Sequence, residues 1–253
     1  MESYAAADEV WAAGLVFVRV AAIVMLLPGL GEAMVPPRVR LSFALLLTLA
    51  LTPIVSTSLP ALPGTVGGMG GWVLRETLIG LMIGGLLRIL MMSLAVAGEL
   101  VSLQTGLSFA QTANPLQAQP GTTVASFLAL LGVTLIFATN THHLFIGAVA
   151  DSYKLFAPVK GLPTADAATL AARTVSQAFA LGVQLAAPVI VFSLLFNLAT
   201  GLVGRVMPQF QIFFAATPLG VLLGLSVFAL SLGVIGMVWI EAYREFTDVF
   251  LRG

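Results

Sequence analysis

Apolar side chains run along this chain in long blocks, separated by short clusters of glycine, proline and polar residues. About six blocks stand out, near residues 10–27, 39–55, 72–97, 124–150, 178–200 and 210–240, and a bilayer core needs roughly 20 helical residues to cross. The pattern predicts an all-α integral membrane protein, with residues 1–253 forming one membrane domain. Several blocks are longer than one straight span requires. Pro188 and Pro218 fall inside the last two. Proline lacks an amide hydrogen and clashes with the preceding turn, so bent or broken helices are predicted there. Gly80 with Gly84, and Gly220 with Gly224, are spaced to let helices approach closely. The stretch 60–71, PALPGTVGGMGG, has no charge and reads as a mobile loop. A second breaker spans 158–163, after which Thr164 is placed to cap a helix running through Arg173 into the fifth block.

The last segment, 240–252, reads differently. Trp239, Tyr243, Phe246 and Phe250 share one helical face, while Glu241, Arg244, Glu245, Asp248 and Arg252 occupy the other. An amphipathic helix leaving the membrane is predicted. Its aromatic face serves either as an interfacial anchor or as a docking surface.

Between the third and fourth blocks lies LQTGLSFAQTANPLQAQPGTT, residues 103–123, within a run that carries no charge from Glu99 to Asp151. Pro115 and Pro120 prevent a continuous helix, and Gly106 and Gly121 permit tight turns. Connections of about 20 residues without regular structure are uncommon and often functional. At membrane depth such backbone survives only where protein or a watery cavity receives it. Gln104, Gln111, Asn114, Gln117 and Gln119 could satisfy it there. Two readings stand: a re-entrant loop plugging a pore, or an ordinary solvent loop.

Charges within apolar helices need partners or water, and Arg19, Arg75, Glu76, Arg88 and Glu99 are the cases. Arg88 and Glu99 share a helical face but lie about 16 Å apart along a straight helix. They cannot bridge one another. Inter-subunit or intramembrane pairing of Arg75, Glu76, Arg88 and Glu99 is one reading, and snorkelling to an interface is the other.

Composition narrows the class. The 253 residues are 59% hydrophobic and 9% charged, with 11 basic and 11 acidic side chains, where a soluble domain averages about 25% charged. Zero net charge gives no electrostatic footing for nucleic acid. No cysteine is present, so disulfides and thiolate chemistry are excluded. The acidic N-terminus, MESYAAADEV, is unlike a signal peptide and is expected to stay on the protein. Arg38 and Arg40 favour a cytoplasmic loop after the first block and an N-terminus on the far side. Six crossings would return the C-terminus to that side, where too few basic residues occur to test it, so orientation stays open. His142 and His143 are adjacent and point about 100° apart, which does not make an i,i+4 metal pair. No hydrolase, zinc-protease or P-loop motif occurs, so neither an enzyme nor a cofactor is expected.

Two strings are more specific. GELVSLQTGLSFAQTANP (98–115) and LLPGLGEAMVPPRVRLSFALLLTLALTPIV (26–55) resemble the FliR family of flagellar and type III secretion export-gate proteins. The likeness runs over essentially the whole chain and is sharpest around Glu99, Gly106 and Phe109 and at the Pro36–Pro37–Arg38 turn. It implies a subunit packed in a helical assembly with FliP-like and FliQ-like partners, beside FlhB-like and FlhA-like proteins. The place implied is the bacterial inner membrane, in the flagellar basal body, and unfolded substrates would pass through the centre. It also implies that the loop carrying Gly106, Leu107, Ser108, Phe109, Ala110, Gln111, Asn114, Pro115, Gln117 and Pro120 lies in the pore and helps to plug it, Phe109 acting as an apolar stopper. An injectisome subunit is the near alternative. A stand-alone secondary transporter, with its site at helices broken by Pro188 and Pro218, is the distant one.

Overall fold

A computed structural model describes residues 2–32, 34–108, 121–156, 164–207 and 212–252. Among these residues all regular structure is helical, with no strand. In order come α1 (Glu2–Leu26), α2 (Pro37–Val55), a 3-10 turn (Ser56–Ser58), α3 (Val66–Thr105), α4 (Thr123–Ala138), α5 (His142–Leu155), α6 (Thr164–Val206) and α7 (Ile212–Arg252). Among the described residues five helices are long and apolar enough to cross a membrane, or six if α4 and α5 form one broken span.

Helix starts follow from local chemistry. Pro37 opens α2, where its fixed φ suits the first helical position and its missing amide hydrogen costs nothing. Arg40 ties the preceding turn down by donating to the carbonyls of Glu32 and Val35. The mobile loop expected at 60–71 is shorter than its composition suggests, because α3 already begins at Val66. The Thr65 hydroxyl accepts from the Gly68 amide at 3.2 Å, an N-cap that recruits the glycines into the helix.

The breaks expected at proline do not occur. Pro188 lies inside α6 and Pro218 inside α7, and both helices run through them. The interruption falls instead in the fourth apolar block, at residues 139–141, where Asn140 adopts a left-handed φ of 58°. Asparagine tolerates that conformation better than most residues. Arg244 fixes the turn by donating to the Thr139 carbonyl at 2.8 Å and the Thr141 hydroxyl at 3.2 Å. Helix α4 thus gains a cation at its C-terminal end.

The chain folds as two compact units, and α3, α6 and α7 each contribute to both. The first comprises residues 1–90, 139–175 and 244–253. Its core is built from Leu15, Val16, Val20 and Ile23 of α1, Ile79 and Ile83 of α3, and Phe145 and Val149 of α5. A Cβ at Gly80 would lie 2.6 Å from the Arg19 carbonyl oxygen, and one at Gly84 would lie 2.9 Å from the Leu26 Cβ. The absence of side chains there lets α1 lie against α3.

The second unit comprises residues 91–138 and 176–243. Here α3 meets α4 at Gly98, where a Cβ would be 2.5 Å from the Ala125 nitrogen, and meets α6 at Gly182, where one would be 2.8 Å from Val96 Cγ1. Trp239 is fully buried and donates its indole hydrogen to the Ser93 hydroxyl at 3.1 Å. Tyr243 is also fully buried, its ring 5.0 Å from that of Trp239. The amphipathic reading of the last helix therefore needs correcting at these two positions. These two rings are covered by the chain itself, which closes them both to the bilayer interface and to a docking partner.

Candidate functional site

The loop roots form the first candidate site. Helix α3 ends at Thr105, so 103–105 of the expected loop are helical, and Gly106 turns the chain with φ +77°. Leu107 and Ser108 follow, both half-buried. Phe109, Ala110, Gln111, Asn114, Pro115, Gln117 and Pro120 lie outside the described residues. On the far side the described chain resumes at Gly121, whose φ of +100° favours glycine over any L side chain.

Both roots are anchored. Thr122 is buried, its hydroxyl accepts from the Ala125 amide at 3.2 Å, and its carbonyl accepts from Ser126. That is an N-cap for α4. The Thr122 amide donates to Glu99 Oε1 at 2.8 Å. On the α3 side, the Thr105 hydroxyl is satisfied by the Val101 carbonyl, and the Gln104 carbonyl accepts from the Ser193 hydroxyl of α6 at 3.2 Å. Gly224 of α7 makes room for Thr105, since a Cβ there would lie 2.9 Å from Thr105 Cγ2. A largely apolar cavity of about 470 Å³ opens between the roots, lined by Ser102, Leu107, Thr123, Val124, Phe127 and Phe228. Ser102 Oγ is buried there without a hydrogen-bond partner among the described residues. A smaller, more polar cavity of about 230 Å³ lies beside Gln104, Gly106, Ser193 and Asn197.

The charged residues resolve into separate environments. Glu76 is fully buried and pairs with Arg19, itself fully buried, through Nε to Oε2 at 2.5 Å and Nη2 to Oε1 at 3.0 Å. Arg19 also donates to the Ser152 carbonyl at 3.1 Å, the Ser152 hydroxyl at 3.3 Å and the Phe156 carbonyl at 3.4 Å. A guanidinium has five N–H donors, and these contacts employ them all. Its face lies 4.0 Å from the centre of the Tyr153 ring. The pair neutralises charge that lipid would not tolerate, and the guanidinium completes the carbonyl end of α5.

Arg75, by contrast, is half-buried and stacks over Trp72 at 5.1 Å. Arg88 is half-buried and makes no ion pair among the described residues. Glu99 is exposed and meets the start of α4 rather than a cation. Sequence alone placed Arg19 and Glu76 among internal charges without pairing them, since they lie 57 residues apart, and Ser152 and Phe156 act largely through backbone carbonyls, which carry no sequence signal. The rings of His142 and His143 lie 4.3 Å apart at the start of α5, and no group among the described residues could hold a metal ion.

A family model described as "Bacterial export proteins, family 1" matches residues 10–246. The flagellar biosynthetic protein FliR of Caulobacter vibrioides is 58% identical over 250 residues, covering 99% of this chain and 100% of that protein. The protein of the same name from Escherichia coli is 34% identical over 83% of this chain and 80% of its own length. That from Pectobacterium carotovorum is 32% identical over 92% and 88%. With a match along nearly its entire length, the chain belongs to the FliR family of bacterial export proteins.

Proposed function

We propose that this chain is a passive subunit of the flagellar type III protein export gate, seated in the bacterial inner membrane within the basal body. Its work is to pack, with FliP-like and FliQ-like subunits and beside FlhB-like and FlhA-like proteins, around a conduit for unfolded export substrates. The flagellar name of relatives covering the whole chain supports the flagellar setting over an injectisome. Energy comes from partners, and no step in this role needs an enzyme. Arg88, without an ion pair among the described residues, is assigned a partner on a neighbouring subunit.

The observation that carries the gate role is the anchoring of both loop roots. Thr105 and Gln104 are fixed on one side, and Thr122 on the other, so the charge-free segment between them starts and ends at firm points. A plug must be held at its roots and must not bind its cargo by charge. Phe109 is the apolar stopper, and the uncharged polar residues Gln111, Asn114 and Gln117 line the path. A stand-alone transporter loses its main support, because its site required helices broken at Pro188 and Pro218.

Deleting residues 106–121 tests this reading. The deleted chain is expected to assemble with its partners while the cells leak small ions. An assembled, loop-deleted complex as tight as the intact one would refute the plug.

A further inference from the structure

The start of α4 carries an incomplete capping motif. In a capping box, the N-cap hydroxyl accepts from the amide three residues on, and an acidic side chain at that third position reaches back to the N-cap amide. Thr122 supplies the first half through Ala125. The second half is barred to position 125. A Cβ on Gly98 would stand 2.5 Å from the Ala125 nitrogen and 2.9 Å from its Cβ, so α3 occupies the space a glutamate there would need. The carboxylate comes instead from the next residue of α3. Glu99 Oε1 accepts from the Thr122 amide at 2.8 Å.

From this geometry we infer that Glu99 is a positioning residue, completing the capping box of α4 from α3 and thereby clamping the C-terminal root of the 106–121 loop. Three further features act with it. The Thr122 hydroxyl lies 3.5 Å from the Gly98 carbonyl, a long second contact between the same helices. Gly121 takes its left-handed turn directly over the carboxylate, since a Cβ there would lie 3.5 Å from Glu99 Oε1. An anion at a helix N-terminus also meets the positive end of the helix dipole. Glu99 is exposed, so it keeps access to water while holding the amide. A carboxylate within an apolar helix is thus explained without an opposite charge. Glu99 needs an amide, and the loop root supplies it.

The inference rests on the gate reading for its consequence and on the geometry for its mechanism, so the experiment separates them. The full assembly is expressed in cells with all partners, carrying Glu99→Ala, Glu99→Gln, or the 106–121 deletion as reference. Small-ion leak is measured per assembled complex, export of a native substrate is followed in parallel, and amide exchange across 122–126 is read on the purified complex. Glu99→Ala is expected to assemble and export, to speed exchange at Thr122, and to raise leak by about fivefold or more, the change that follows loss of one capping interaction. Glu99→Gln keeps a neutral acceptor of the same size and should fall between it and the native chain.

A leaking deletion beside a tight Glu99→Ala complex with native exchange would overturn the clamp alone. If the deletion itself fails to leak, the plug reading falls, and the exchange at Thr122 still decides whether Glu99 holds the helix start. Should both Glu99 variants lower assembly and export together with no extra leak per complex, Glu99 is a folding residue and the inference is overturned.

Discussion

Arg19 and Glu76 show how a membrane-embedded charge is made tolerable. Each would be costly alone in lipid. Together they are neutral, and the guanidinium's remaining hydrogens go to Ser152 and Phe156. Gly80, one helical turn beyond Glu76, brings the α1 backbone close enough for the pair to form. Removing one partner leaves the other buried and uncompensated, which costs about 3–5 kcal/mol, whereas exchanging both for apolar residues of similar size is often neutral. Arg19→Met and Glu76→Met should therefore each lower the thermal stability of the detergent-purified chain sharply, and the double variant should recover most of the loss. A double variant as unstable as the singles would contradict this account. The presence of Arg19 in an apolar block was plain from sequence. Its partners lie 57 and 133 residues away along the chain, and only folding brings them together.

At the scale of elements, the outcome depends on the origin of each signal. Hydrophobic blocks located the helical regions because burial and lipid exposure both act on whole segments, although the fourth block divides into α4 and α5. Proline does not break the helix at positions 188 and 218. It removes one hydrogen bond, but within helices as long as Thr164–Val206 and Ile212–Arg252 the flanking turns preserve the helix. The true interruption at 139–141 contains no proline, and it is held by Arg244 from a distant segment. Glycine spacing was informative where a second helix arrived. Gly80→Val should destabilise the isolated chain by about 1–3 kcal/mol through overpacking, since Arg19 and Ala22 already fill the site. At Gly14 a Cβ would meet nothing within 4 Å, so Gly14→Ala should be neutral or gain about 0.5–1 kcal/mol. Thermal unfolding of the two variants in detergent checks the contrast, and equal effects would remove the close-approach role of Gly80.

For the whole molecule, the long helices set the problem. At about 1.5 Å per residue, helices of 40, 43 and 41 residues reach roughly 60 Å, twice the hydrocarbon thickness of about 30 Å. Leu194, Leu195 and Leu198 on α6 and Leu222 and Leu230 on α7 remain exposed. Surfaces of this kind suit burial against other subunits as well as lipid. The membrane class was legible from composition, and the loop roots from the ends of two apolar blocks. What the loop faces in the assembly is a property of several chains together. Because the chain has no cysteine, an introduced thiol is the only one on this subunit, and the unsubstituted assembly gives the background from its partners. Gln111→Cys or Gln117→Cys, probed in the complete, shut assembly with thiol reagents of graded size, tests the central claim most directly. The account predicts reaction with small reagents only and exclusion of bulky polar ones. Free reaction with the bulky reagents in the shut complex would contradict it.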